Sequence, residues 1–131
     1  MPVGNQVVKA GPPDGREVFH SNCAAVQVFG HVTSRWGIWV LLGLHDGPQR
    51  FFELRERIEG VSEKMLSQTL RNLVRDGLVW RRVEPTVPPQ VTYGLTEVGG
   101  GTAEHLSSMF GWIKDNAGAI VDRQARYDEA R

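Results

Sequence analysis

Ser62-Glu63-Lys64-Met65-Leu66-Ser67-Gln68-Thr69-Leu70-Arg71-Asn72-Leu73-Val74-Arg75-Asp76-Gly77 is the stretch that decides how this chain folds. At about 100° per residue, Leu66, Leu70, Leu73 and Val74 gather on one side of a helix. Lys64, Ser67, Gln68, Arg71 and Arg75 gather on the other, and no acidic residue lies between Lys64 and Arg75. Ser62 suits the N-cap, Glu63 suits the first turn, and Asp76-Gly77 ends the helix. Any surface helix turns Lys, Arg and Gln outward, so its neighbours must decide whether this one reads anything.

Upstream, Leu54 and Ile58 fall at i, i+4 in a short helix over 52–58, and Glu59-Gly60-Val61 is a tight turn. Downstream, 78–84 and 90–95 alternate as strands around Pro85-Thr86-Val87-Pro88-Pro89, a loop at a hairpin tip. Helix, short turn, helix and hairpin make a helix-turn-helix with a wing. Arg81 and Arg82 lie in the hairpin. Arg can grip guanine and Gln can grip adenine with paired hydrogen bonds, while Ser62 and Lys64 suit phosphate at the helix start.

The outer elements complete a mainly α fold with a small β-hairpin. Ala25, Val28 and Phe29 mark a first helix, and Thr33-Ser34 offers a cap for a second over 35–45. That second helix is apolar nearly all round, which predicts a central, buried position; Trp36 and Trp39 are assigned to the core. Trp80 and Trp112 are read as packing residues, with a pocket between subunits as the alternative. Thr96-Glu97 starts a long helix, and a last helix covers 119–127. Gly99-Gly100-Gly101 predicts a frayed or kinked first turn in the long helix, since glycine costs about 1 kcal/mol against alanine inside a helix. Residues 1–20 show no apolar period and read as a flexible tail, with 21–131 as the domain.

The chain has 131 residues and a formal net charge of zero. Its charge is uneven: Gly47–Tyr93 holds eight basic and six acidic residues, and Glu97–Arg131 holds four basic and six acidic. A local basic face matters more to a nucleic acid than the total does. With no apolar run long enough for a membrane and no signal-peptide pattern in the sequence, a cytoplasmic protein is expected. His20, His31, His45 and His105 lack metal-ligand spacing, and no phosphate-loop or dinucleotide motif is present. No enzyme activity, cofactor or metal is expected.

Arg35-Trp36, Asp46-Gly47-Pro48 with Arg50-Phe51 and Glu53-Leu54, Gly60-Val61-Ser62 with Lys64-Met65-Leu66, and Leu70 through Val79 together resemble the HxlR-type winged-helix regulators of bacteria. Arg81, Val87-Pro88-Pro89, Val91, Tyr93, Leu95-Thr96-Glu97 and Gly99 continue the resemblance without gaps over about two-thirds of the chain. It implies a transcriptional regulator binding double-stranded DNA as a homodimer on a pseudo-palindromic operator. The dimer would be built from helices about 23–32 and 97–129, with a recognition helix about 62–76 and a wing about 78–96. The candidate DNA-contacting set is Arg50, Ser62, Lys64, Met65, Ser67, Gln68, Arg71, Arg75, Arg81, Arg82, Thr86 and Gln90.

The resemblance also implies a redox or electrophile signal through Cys23, the chain's one cysteine, whose position matches a sensing cysteine in some members. The bland alternative is a small inert residue at the dimer interface; a small-molecule effector between subunits is a further possibility. Four departures stand out: Ala24 where proline is usual, Phe52 where a small polar residue usually caps the third helix, Gln90 where arginine is common in the wing, and the triple glycine. Loss of that cap predicts a cost of about 1 kcal/mol, and Phe52 must pack unusually or stand exposed. The competing function is a winged-helix module that binds only protein, with Val87-Pro88-Pro89 as its docking edge.

Overall fold

The computed structural model describes residues 19–131. The expected tail falls almost wholly outside them; only its end, Phe19 and His20, is described, as exposed irregular chain. The elements run α1 (Ala24–Val32), α2 (Arg35–Leu44), β1 (Gln49–Arg50), α3 (Phe51–Arg57), α4 (Glu63–Arg75), β2 (Val79–Glu84), β3 (Gln90–Leu95), α5 (Glu97–Asp115) and α6 (Ala117–Glu129).

Helix α2 begins at Ser34, whose hydroxyl accepts from Gly37 N at 3.1 Å. It buries Gly37, Val40, Leu41, Gly43 and Leu44 and packs against α1, α3, α4, α5 and β3, the central position its composition predicts. Leu66, Leu70 and Leu73 of α4 close against it, each at most 1% exposed. Trp36 is half-buried against the core. Trp39 departs from expectation: it is 41% exposed and meets Phe110 of α5 edge-on at 5.5 Å between ring centres. An all-apolar helix hides which of its faces points away from the core, and Trp39 lies on that face.

The sheet is antiparallel and ordered β1-β3-β2. Val79 pairs with Leu95 and Glu84 with Gln90 at the two ends of the hairpin. Strand β1 adds to β3 through Gln49↔Tyr93 and Arg50↔Thr92. Sequence reading misses this strand because two residues carry no alternation to detect. Gln49 is also fixed by its side-chain amide, which donates to Gly43 O at 2.6 Å.

Two expectations about helix starts change. The N-cap of α3 is Arg50, not Phe52. The Glu53 carboxylate accepts from Arg50 N at 2.7 Å, so an acidic side chain reaching back satisfies the donor that a cap would otherwise leave open. Phe52 stands 63% exposed, touching Phe51 edge-on. The first turn of α5 is regular rather than frayed. Thr96 caps it, accepting from Gly99 N at 3.0 Å, and its hydroxyl donates to Gly77 O at 2.6 Å. Gly99 is needed there because a Cβ would fall 1.8 Å from Leu78 O, whereas Gly100 and Gly101 face open space.

The three glycines therefore separate by experiment. Gly99→Ala is expected to lose about 3 kcal/mol, because backbone must move to admit the methyl group. Gly101→Ala is expected to gain about 0.5–1 kcal/mol from helix propensity. Thermal melts of the two variants check both signs.

Candidate nucleic-acid interface

Helix α4 is held at both ends. At its start Ser62 is extended (φ −84°, ψ 162°) and its hydroxyl accepts from Met65 N at 3.1 Å. At its end Gly77 adopts φ +79°, the left-handed conformation that ends many helices. There Leu78 N donates to Leu73 O and Gly77 N to Val74 O, both at 3.0 Å. Leu73 and Leu78 are both buried, sealing the turn with an apolar contact.

The outward face of α4 comes out as the residue spacing implies. Ser62, Lys64, Met65, Ser67, Gln68, Arg71 and Arg75 are all exposed. Met65, 41% exposed, is the apolar member of this set. Thr69 faces the core, its hydroxyl donating to Met65 O at 2.7 Å. Among the described residues, Lys64, Arg71, Arg75 and Arg81 enter no ion pair.

The wing divides its two arginines. Arg81 lies opposite Tyr93 and Arg82 opposite Thr92, so they project from opposite faces of the hairpin. Arg81 is exposed and unpaired among the described residues. Arg82 bonds Glu84 at 3.1 Å and lies over the Trp80 ring at 5.0 Å. Trp80 itself covers Gly94, where a Cβ would run into the indole; it packs within the chain. Thr86 is exposed, its hydroxyl donating to Pro88 O at 2.8 Å, and Gln90 is half-buried at the start of β3. Arg50 is exposed beside β3 at the head of α3.

Two contacts that the sequence reading did not single out hold this region in place. Arg55 of α3 donates to the Glu63 carboxylate of α4 at 2.8 Å across the turn between the helices. His31 of α1 meets the Asp76 carboxylate at 2.7 Å. The Asp76 side chain is only 3% exposed, so the imidazole serves as a hydrogen-bond partner for a buried carboxyl group at the end of α4. An Asp before Gly reads as a helix stop in sequence; nothing local to it points to a partner 45 residues away.

Away from α4, Cys23 is the half-buried N-cap of α1. Phe29 of α1, Met109, Trp112 and Ile113 of α5, and Val121 and Tyr127 of α6 are exposed apolar residues. Among the described residues, no helix is long and apolar enough to cross a membrane, and no group of His, Cys, Asp and Glu could hold a metal ion.

The sequence model HxlR-like helix-turn-helix matches residues 31–121, which take in the helix-turn-helix of α3 and α4 and the wing. The chain belongs to the HxlR-like family. It is a transcriptional regulator of the helix-turn-helix type. The uncharacterized HTH-type transcriptional regulator YtfH of Escherichia coli (strain K12) is 44% identical over 104 residues, which are 79% of this chain and 82% of that protein. The structure of ytfH from Salmonella typhimurium matches with a TM-score of 0.77 at 39% identity, covering 83% of this chain and 97% of that one. The redox regulator HypR in its reduced form matches with a TM-score of 0.68 at 30% identity, covering 76% of this chain and 99% of that one.

Within this HxlR-like chain, the two supports of α4 are expected to show in stability. His31→Ala leaves the buried Asp76 side chain without this hydrogen-bond partner and is expected to cost about 1–3 kcal/mol. Ser62→Ala removes a cap and is expected to cost about 1 kcal/mol. Urea denaturation of the two variants measures both, and a His31→Ala midpoint equal to wild type would contradict the first.

Proposed function

We propose that this chain binds double-stranded DNA as a homodimer, each subunit laying α4 in the major groove of one half of a pseudo-palindromic operator. The observation that carries the proposal is the exposed, acid-free face of Lys64, Ser67, Gln68, Arg71 and Arg75, which none of the subunit's own described residues covers. Gln68 and Arg71 read base edges; Ser62, Lys64 and the start of α4 hold phosphate. Arg81 and the loop from Thr86 to Gln90 flank the groove, with Arg81 the stronger wing contact because Arg82 is already engaged by Glu84. Arg50, at the head of α3, and Arg75, in the last turn of α4, add backbone contacts, and Met65 offers an apolar contact at the edge of the face.

The homodimer is supported by the number of large apolar residues left exposed on α1, α5 and α6, Phe29, Met109, Trp112, Ile113, Val121 and Tyr127, which a partner subunit would take out of water. Two-fold symmetry then places the recognition helices in successive major grooves, with half-sites about one turn of DNA apart. The support for a thiol-dependent response is narrower. Cys23 caps α1, on the helix that carries part of this apolar surface. Changed operator affinity on alkylating the wild type, with none in Cys23→Ser, supports it; unchanged affinity removes it.

Selection of bound sequences from random duplexes gives the operator, and fluorescence anisotropy on it tests the reading. Affinity is expected to fall steeply with salt. Arg71→Ala is expected to lose about 1–3 kcal/mol and to relax specificity at one position of each half-site. Sedimentation should report a dimer. Salt-independent association with a protein, and no duplex binding, would instead favour a protein-docking winged helix.

A further inference from the structure

We propose that Arg55, which is not among the expected DNA contacts, is a positioning residue for the reading surface: its guanidinium holds the Glu63 carboxylate aside and offsets its charge. This inference rests on the DNA-binding reading above. Glu63 is the one acidic residue of α4 and occupies its first position. For folding that position is favourable, because the positive end of the helix stabilises a carboxylate. For an anionic ligand it is unfavourable, because the same helix end and the Ser62 cap are where a phosphate would approach. Glu63 follows Ser62 directly and lies about 100° round the helix from Lys64, at the edge of the basic face.

The structure resolves this conflict with a contact from the other helix. Arg55 Nη1 lies 2.8 Å from Glu63 Oε2, joining α3 to α4 over eight positions of sequence. Both side chains are well exposed, 41% and 60%. Exposed pairs contribute little to stability, so folding alone gives this one a small role. Its larger effect is on what α4 presents outward: with the pair closed, the start of the helix offers Ser62, Lys64 and its own backbone N–H groups with the charge of the adjoining Glu63 offset. The other arginine in the last turn of α3 does not share this task. Arg57 donates to Gly43 O at 3.0 Å and faces Asp46 at 3.4 Å, on the side of α2.

The test is a double-mutant cycle on the selected operator duplex with wild type, Arg55→Ala, Glu63→Gln and the double variant, each matched for melting temperature and dimer fraction. Arg55→Ala is expected to weaken binding about tenfold at low salt, less as salt screens the exposed carboxylate. Glu63→Gln is expected to bind at least as tightly as wild type, and the double variant to return to within about twofold of Glu63→Gln, since with no carboxylate the arginine has nothing left to offset. A double variant as weak as Arg55→Ala overturns the proposal, because Arg55 would then contact phosphate itself. An Arg55→Ala variant with wild-type affinity overturns it as well. A wild type that fails to bind any duplex is a separate result and removes the DNA-binding reading together with this one.

Discussion

The burial of Leu66, Leu70 and Leu73 against α2 is the constraint on which the rest depends. Each is at most 1% exposed, and taking a leucine fully out of water contributes about 1.5–3 kcal/mol. Their spacing leaves α4 one rotation about its axis. That rotation turns Lys64, Gln68 and Arg71 outward as a geometric consequence of where the leucines go. The outer face is then free to change chemically without disturbing the fold, as a surface that must distinguish one ligand from another requires. α2 can take the leucines of α4 and still pack against α1, α3, α5 and β3 because it has almost no polar side chain to keep wet.

Rotation alone does not fix the position of α4; its ends do. The C-terminal end carries the Gly77 turn, the Thr96–Gly77 bond to the start of α5, and the His31–Asp76 contact to α1. Each ties α4 to a different element, and α1 and α5 are two of the helices whose apolar residues remain uncovered. A shift of α1 relative to the core would therefore be felt at the end of α4 through a buried carboxylate, a group that tolerates loss of its partner poorly. The close approach of Gly99 to Leu78 holds α5 against the residue that follows the same turn.

How much of this was legible in the sequence follows from how local each signal is. The bounds of α4 and β3 could be read directly, because a cap, a period and a stop all fall within the element itself. The proline-rich tip marks where the hairpin turns, while its register, Val79 with Leu95 and Glu84 with Gln90, comes from the structure. The sequence could not show β1, which is two residues long and exists only because Asp46-Gly47-Pro48 delivers Gln49 and Arg50 to the open edge of β3. The glycines of α5 were misleading for a related reason: propensity counts Gly99 as a cost, while the structure uses its missing Cβ to let two backbones meet. Hydrophobicity places Trp39 in the core, yet its face of α2 looks out toward Phe110. The outward residues of α4 and the wing were visible as a set, but their division was not. Arg81 and Arg82 are adjacent and alike in sequence, and only the strand's alternation and Glu84 separate them.

The same division explains how a chain of zero net charge can present a basic surface. Several of its acidic residues near α3, α4 and the wing are already engaged: Glu53 with the start of α3, Glu63 with Arg55, Asp76 with His31, Glu84 with Arg82 and Asp46 with Arg57. Engaging carboxylates with groups that are not on the outer face of α4 offsets their charge locally, and among the described residues Lys64, Arg71 and Arg75 keep no ion-pair partner. Net charge over a segment cannot show this, because it counts Arg55 and Arg71 alike. What matters to a polyanion at close range is which cations keep no internal partner, since fields from more distant groups fall off within about 8 Å at physiological salt. A weakly basic segment with well-placed internal pairs can therefore present a stronger local field than its composition suggests, and it does so without the self-repulsion that a cluster of uncompensated arginines would bring to the folded state.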